Sequence, residues 1–572
     1  MAVTAPGYDV DCLVPGSPFN GVHGLRFGPD GAIYVGSLAK QSIYRVDPAT
    51  GAVSLAVGPP HGDADDVAFA PDGTLYWTAP DSGTVFAKTA EGPVRAVATG
   101  LPGINGIAFR GPRLYASSVF LGDELYEIDP VGRVPPRMIL EGIGGLNGNE
   151  FGPDDRLYGP LWFKGQVARI DVDTPELTVL ADGFMRPSAV KVSPDGNLWL
   201  VDAGLGRLFN LDRETGRTIR SVALSPSIDN LALDARGRVY VTNMADNSIQ
   251  RIDPADGSIH DVVRGTLSMP GGIALEIRGG SEVLHIADQY AYRIADTVSG
   301  ELSEVARRGG GDNNIPSAVS IGERFILLSS LRTRSVELRD RRTFERLETI
   351  DGFGFPYQAL EVPDGILVAD HGAGLVLVAG EPGARRRETI LSIEGVTAML
   401  PGPNGRLYVA QANAGCILCI SSPPPLRGRS ATRSVDGWGM MPPPSSEFDE
   451  SPSGDTTPHP ALRADLPLLG GGDENVAVSV VVEGLASPEG LAFLDDKTLL
   501  VAEVGKQRLT AIDLETGARR TIAENLPIGQ GAPPGWPGAF VPTGLAVGQG
   551  GVIYIASDLD CAIYRFTPAG RR

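Results

Sequence analysis

Short runs of β-branched and aromatic residues, alternating with polar ones and broken by tight turns, fill nearly the whole chain, and no stretch carries the three-to-four-residue apolar period of an amphipathic helix. One pattern returns throughout: a small polar residue, Gly, an aliphatic residue, an apolar anchor, a Pro-Asp-Gly turn, then three β-formers. It is clearest in HGLRFGPDGAIYV at 23–35, DVAFAPDGTLYWT at 66–78, NGIAFRGPRLYAS at 105–117 and SAVKVSPDGNLWLV at 188–201. The anchors Phe27, Phe69, Phe109, Phe151, Val192, Leu233, Leu275, Ile321 and Val362 stand 40 to 46 residues apart. That spacing is one four-stranded propeller blade, with a small-residue inner strand, a hairpin, two middle strands and a variable outer strand.

Twelve such units are present. The chain opens on an outer-type strand, YDVDCLV at 8–14, and ends on a third strand, CAIYRFT at 561–567, with no fourth to follow. Because a closed ring leaves no sheet edge bare, the expected fold is all-β, a tandem of two six-bladed β-propellers, residues 1–256 and 257–572, each closed by an N-terminal outer strand. Strand 8–14 would complete the blade containing 229–253, and SIHDVVR at 258–264 would complete the blade containing 543–567. A Pro- and Ser-rich segment without periodicity, 422–475, is expected to be a disordered insertion in the second propeller, with AVSVVVEG at 477–484 resuming the interrupted blade. Within it, PPPLRGR reads as linker before polyproline ligand.

Composition narrows the function. With 572 residues and a net charge of −20, and no basic cluster, a nucleic-acid partner is not expected. No apolar run reaches membrane-spanning length and no signal-peptide pattern opens the chain, so the expectation is no membrane partner and a cytoplasmic location. Four cysteines, Cys12, Cys416, Cys419 and Cys561, are too few for a disulfide framework. Cys416 and Cys419 sit on one strand with no second pair, which argues against zinc or redox chemistry. The six histidines are scattered, and neither H-E-x-x-H nor G-x-S-x-G occurs. The sequence leaves oligomeric state open.

The residue just before the Gly of each inner strand should point into the top of a ring. In the first ring these residues are His23, Asp65, Asn105, Asn147, Ser188 and Asp229. Carboxylates and carboxamides converging on one axis form an oxygen-rich cup that suits a divalent cation, Ca²⁺ before Mg²⁺ or Mn²⁺. Asp66 and Asn230 adjoin it. Strand-end capping alone would account for any one of these residues. The second ring offers Gly271, Ser317, Gln358, Thr397, Glu489 and Thr543 instead, so capping does not by itself demand Asp and Asn.

These residues resemble the strand starts of the calcium-dependent six-bladed propellers of the gluconolactonase, paraoxonase and strictosidine-synthase-like superfamily. The repeats are also NHL-like. Asn105-Gly106 and Asn147-Gly148 are similar to its metal-ligating Asn-Gly pairs, Asp229-Asn230 to its Asp-Asn ligand pair, and His23-Gly24-Leu25 to its His-Gly-Ile, whose histidine is placed as base. The resemblance covers residues 8–265 well and 266–572 only as fold. The acidic ligand usual on the first blade is replaced by His23, and Asp65 would substitute for it. The resemblance implies a Ca²⁺ held by Asp65, Asn105, Asn147, Asp229 and Asn230, polarising the carbonyl of a lactone or ester while His23 or Asp229 takes a proton from water. Substrate would rest on Ser188 and on Phe120, Trp162, Phe163 and Lys164, whose apolar character suggests a hydrophobic lactone or ester; Phe163 would otherwise pack between blades. Two other readings stand beside this lactonase or esterase: a natural-product cyclase or lyase using the same cup, and a non-catalytic NHL-type binding scaffold. In the second ring Asp370-His371, Glu489, Glu503 and Asp558 would form a second site or solvated loops.

Overall fold

The computed structural model describes residues 3–309, 313–402, 405–421, 477–533, 536–538 and 540–570. The expectation of disorder at 422–475 lies outside them. The described residues form an all-β, propeller-like fold of twelve four-stranded antiparallel sheets. The first runs Val22–Phe27, Ile33–Ser37, Ser42–Val46, Val53–Val57 in that order, matching the predicted blade strand for strand. The tenth takes Ala477–Val482 as its outer strand beside Cys416–Ser421, so the interrupted blade resumes where expected. The second strand of each sheet is mostly buried, Leu198–Asp202 along its whole length, while outer strands such as Thr218–Ala223 are largely exposed. Apolar clusters fill the spaces between successive sheets. Cys416 and Cys419 go into two different clusters of this kind, each as a buried free thiol.

The inner strands pack side by side in two cycles of six. In the first, Val22–Phe27 lies against Ile228–Leu233, bringing the sixth sheet back to the first; in the second, Ile273–Arg278 lies against Leu545–Val547. Hydrogen bonds close both cycles: Thr242 Oγ1 donates to the His23 carbonyl at 2.8 Å, and Gly544 N to the Gly271 carbonyl at 3.1 Å. This crowding explains the polar-Gly signature. A β-carbon at Gly24 would stand 2.5 Å from the Asp65 carbonyl, and one at Gly544 would stand 2.4 Å from the Gly271 carbonyl.

Strand closure differs from the expectation. Tyr8–Val14 pairs with Ala562–Pro568, not with the 229–253 sheet, and Ile259–Arg264 pairs with its own neighbour Ser248–Ile252, not with the 543–567 sheet. Only the second cycle therefore takes an outer strand from the N-terminus, and the first keeps a fully local sixth sheet. The reason is local turn chemistry. Residues 253–257, Asp-Pro-Ala-Asp-Gly, repeat the Asp-Pro-Ala-Thr-Gly turn of 47–51, with the same Gly N–H to Asp carbonyl bond at 2.8 Å in both. Such a turn closes a hairpin at little entropic cost.

The cycles meet through the faces carrying the inner-strand starts. Ala39, Met244 and Ala245 of the first pack with Met269, Tyr290, Ala291, Phe540 and Val541 of the second. Around this apolar patch Arg332 forms a two-pronged ion pair with Asp81 at 3.1 and 3.2 Å, Arg307 pairs with Asp246 at 2.7 Å, and Gln41 Nε2 donates to the Gly531 carbonyl at 2.7 Å. No helix among the described residues is long and apolar enough to cross a membrane.

Candidate functional site

Three strand starts of the first cycle meet, with His23 between Asp65 and Asp229. Its ring is buried, with Nδ1 3.6 Å from Asp65 Oδ2 and 3.5 Å from Asp229 Oδ2. On the other side Nε2 lies 3.2 Å from the Tyr290 hydroxyl, contributed by the second cycle. Tyr290 is fully buried and seated on Gly21, where a β-carbon would come within 2.0 Å of the ring. Burial opposes a charge on the imidazole, but Tyr290 and the two carboxylates outweigh it and raise His23 to about 9. Burial lifts Asp65 to about 7; the attraction of His23 restrains the rise and repulsion from Asp229 adds to it. Nearby Asp63 is driven up to about 8 by burial and by Asp81. The cup is thus a cation held between two carboxylates and roofed by the other half of the chain, with part of the Asp65 and Asp229 side chains still open to solvent (12% and 14%).

The other nominated residues divide. Asn147 Oδ1 accepts from the Gly148 N–H and Asn230 Oδ1 from the Leu231 N–H, both at 2.8 Å. Both Asp66 oxygens accept backbone N–H groups, of Val67 and Ile107. The Ser188 hydroxyl turns to the Val201 carbonyl of its own sheet, which gives a substrate-facing role no support. Asn105 Oδ1 is buried without a partner.

Where these oxygens point decides whether they fit the divalent ion that the resemblance implies. A calcium shell takes six to eight oxygens. Here two of the five nominated side chains spend their oxygens on strand starts, and the two carboxylates converge on an imidazolium rather than on a gap. Among the described residues no group of three or more His, Cys, Asp and Glu side chains is arranged to hold a metal ion. The donor set does not fit the ion: even with the unpartnered Asn105 Oδ1, the oxygens left over fall short of a calcium shell, and the His23 ring stands between the two carboxylates.

The expected apolar wall is present. Phe120 meets Trp162 and Phe163 edge-on, with ring centroids 5.5 and 5.8 Å apart. Phe163 is 62% exposed and Phe120 47%, so Phe163 does not pack between blades. Lys164 beside them is exposed. In the second cycle, Asp370, Glu503 and Asp558 accept backbone N–H groups of adjoining loops, as structural carboxylates do. His371 is half-buried against the Tyr357 ring. Glu489 is buried, accepts from Thr543 N at 2.9 Å and is pushed up to about 8 by burial.

Sequence reasoning missed Tyr290, Arg308, whose charge restrains the rise of Asp65, and the Arg332–Asp81 pair. All three belong to contacts between the cycles, and no spacing within a repeat signals them.

No protein-family model matches the chain, and no curated protein is recognisably similar to it. Among solved structures, a streptogramin B lyase is 17% identical with a TM-score of 0.37, covering 48% of this chain and 94% of its own. A virginiamycin B lyase from Staphylococcus aureus is 15% identical with a TM-score of 0.36, covering 52% and 98%. A putative gluconolactonase is 16% identical with a TM-score of 0.35, covering 46% and 95%.

Proposed function

We propose that the chain is a tandem of two six-bladed propellers and a hydrolase of lactone or ester bonds, working at the cup of His23, Asp65 and Asp229. The observation carrying this reading is the buried His23 ring, shared at Nδ1 by two carboxylates and held at Nε2 by Tyr290. A buried ion triad of this sort, partly open to solvent and with a carboxyl shifted to neutrality, is the signature of a group tuned for proton transfer.

The chemistry follows from the charges. At about 9, His23 is an imidazolium at neutral pH and a poor proton acceptor, so the base role passes to Asp65, which at about 7 both takes and returns a proton. Asp65 would accept a proton from water as the water oxygen bonds to the substrate carbonyl carbon. The fixed positive charge of His23, shielded from bulk water, would stabilise the oxyanion that forms. Collapse would expel the alkoxide, which recovers the proton from Asp65. Asp229 and Tyr290 would hold the imidazolium from its two sides, as positioning residues.

The reading is tested by offering γ- and δ-lactones and aryl esters in ¹⁸O water. The expected result is turnover with one ¹⁸O in each new carboxylate, unaffected by EDTA. Turnover without label would mean that the same base removes a proton in an elimination. Loss of turnover with EDTA would restore a metal to the cup, and no turnover of any substrate would remove the hydrolase reading.

A further inference from the structure

Arg308 reaches the mouth of the first-cycle cup from the second cycle, and its position is fixed by its backbone. Its N–H donates to the Tyr290 carbonyl at 2.9 Å, and its carbonyl accepts the Ser227 hydroxyl of the first cycle. The next residue, Gly309, lies so close to Ala203 that a β-carbon there would be 3.2 Å from the Ala203 carbonyl. Thus anchored, the guanidinium stands with Cζ 5.8 Å from the Phe120 ring centroid. Its one polar side-chain hydrogen bond is to the Met244 sulfur at 3.8 Å; its charge acts on Asp65 across the cup, but among the described residues no carboxylate lies within ion-pair reach of it. The neighbouring cations at this seam, Arg307 and Arg332, are each committed to carboxylates. An arginine held in place beside an aromatic wall, near Asp65 but ion-paired with no described carboxylate in a chain of charge −20, is a preformed carboxylate receptor.

The wall itself is built to stay exposed. Phe120 has φ +71° and is the centre of a three-residue turn in which Leu121 N donates to the Val119 carbonyl at 2.9 Å. That turn is rare and strained for a residue with a side chain. It turns the Phe120 ring outward to meet Trp162 and Phe163 instead of burying it.

We infer that Arg308 selects the substrate, by pairing with a carboxylate on a molecule whose apolar part lies across Phe120, Trp162 and Phe163. The inference rests on the hydrolytic reading of the cup and narrows its substrates to anionic aryl or long-chain acyl lactones and esters.

Binding tests it without catalysis. Quenching of Trp162 fluorescence, identified by its loss in Trp162→Phe, is followed on adding 4-phenylbutyrate or the uncharged 4-phenylbutanol to the full chain. The expected result is tighter binding of the carboxylate by about 10-fold, the size of one charge-assisted contact. Arg308→Gln should abolish that preference while leaving the alcohol's affinity unchanged, and Arg308→Lys should keep part of it. Phe120→Ala should weaken both ligands. Because binding is read without turnover, failure of the hydrolytic reading leaves the binding result intact. Absence of a carboxylate preference in the wild type, or its persistence in Arg308→Gln, would overturn the inference.

Discussion

Asp65→Asn is expected to lower turnover of any substrate of the cup by at least about 100-fold, in the range lost with a general base, with a smaller fall in melting temperature than Asp66→Asn. The two outcomes come from one cause. Burial makes the ionised Asp65 carboxylate unfavourable, which is why it titrates at about 7 instead of near 3.8. A neutral carboxamide of the same shape removes that cost above pH 7 but cannot accept a proton from water. Asp66→Asn, one residue away, should behave in the opposite way. The Asp66 oxygens accept the Val67 and Ile107 N–H groups and the Asn230 amide, so an amide in its place turns a donor toward donors and destabilises the strand starts. Turnover and thermal unfolding measured on both variants check the contrast. Equal loss of stability in the two would place Asp65 among the structural caps.

Raising the pH from about 5 to about 9 is expected to lower the melting temperature continuously. Most of the buried groups that titrate in this window have folded-state values above their ordinary ones; His285 and His371, held low by burial, act in the opposite sense below about 6.5. Asp288 and Asp558 stand at about 6, Asp65 at about 7, Asp63 and Glu489 at about 8, and His23 at about 9. Each keeps its proton in the folded state after the unfolded chain has released it. The unfolded state therefore binds fewer protons and stability falls as pH rises, with a limiting slope of about 1.4 kcal/mol per pH unit for each group in transit. For His23 the contribution is fully present below 6.5 and is lost through about 9. For the carboxyls it declines from their unfolded values near 4 upward. Carboxylates held low by arginine, such as Asp173 beside Arg110 and Arg113, act in the opposite sense, but only below about pH 4. The optimum should thus fall between about 4 and 5. Melting curves at constant ionic strength check this, and a flat or rising profile up to pH 8 would contradict the buried-acid assignment.

The repeat carried most of the fold into the sequence. A Gly between a polar strand start and an aliphatic residue, followed by Pro-Asp-Gly, specifies an inner strand that must pass close to its neighbour, and Gly24 and Gly544 show why no larger residue serves. The same periodicity placed His23, Asp65 and Asp229 on one axis. It did not assign the closing strand, because Tyr8–Val14 and Ile259–Arg264 have the same outer-strand character, and their partners are chosen by the 253–257 turn and by the meeting of the two chain ends. Nor did it show that the Asp65 and Asp229 carboxylates would face the His23 ring, since that depends on a side-chain direction and not on spacing. Tyr290 and Arg308 were out of reach for a different reason. They act on residues more than 180 positions away, across an interface whose geometry leaves no period in either half.

The account rests on a buried imidazolium clamped between Asp65 and Asp229, and an NMR titration of the histidine ring nitrogens tests it most directly. With six histidines in the chain, the His23 signal is assigned by its disappearance in His23→Gln. The account predicts one histidine that stays cationic through neutral pH and titrates near 9. A His23 that titrates at or below 6.5 would contradict it.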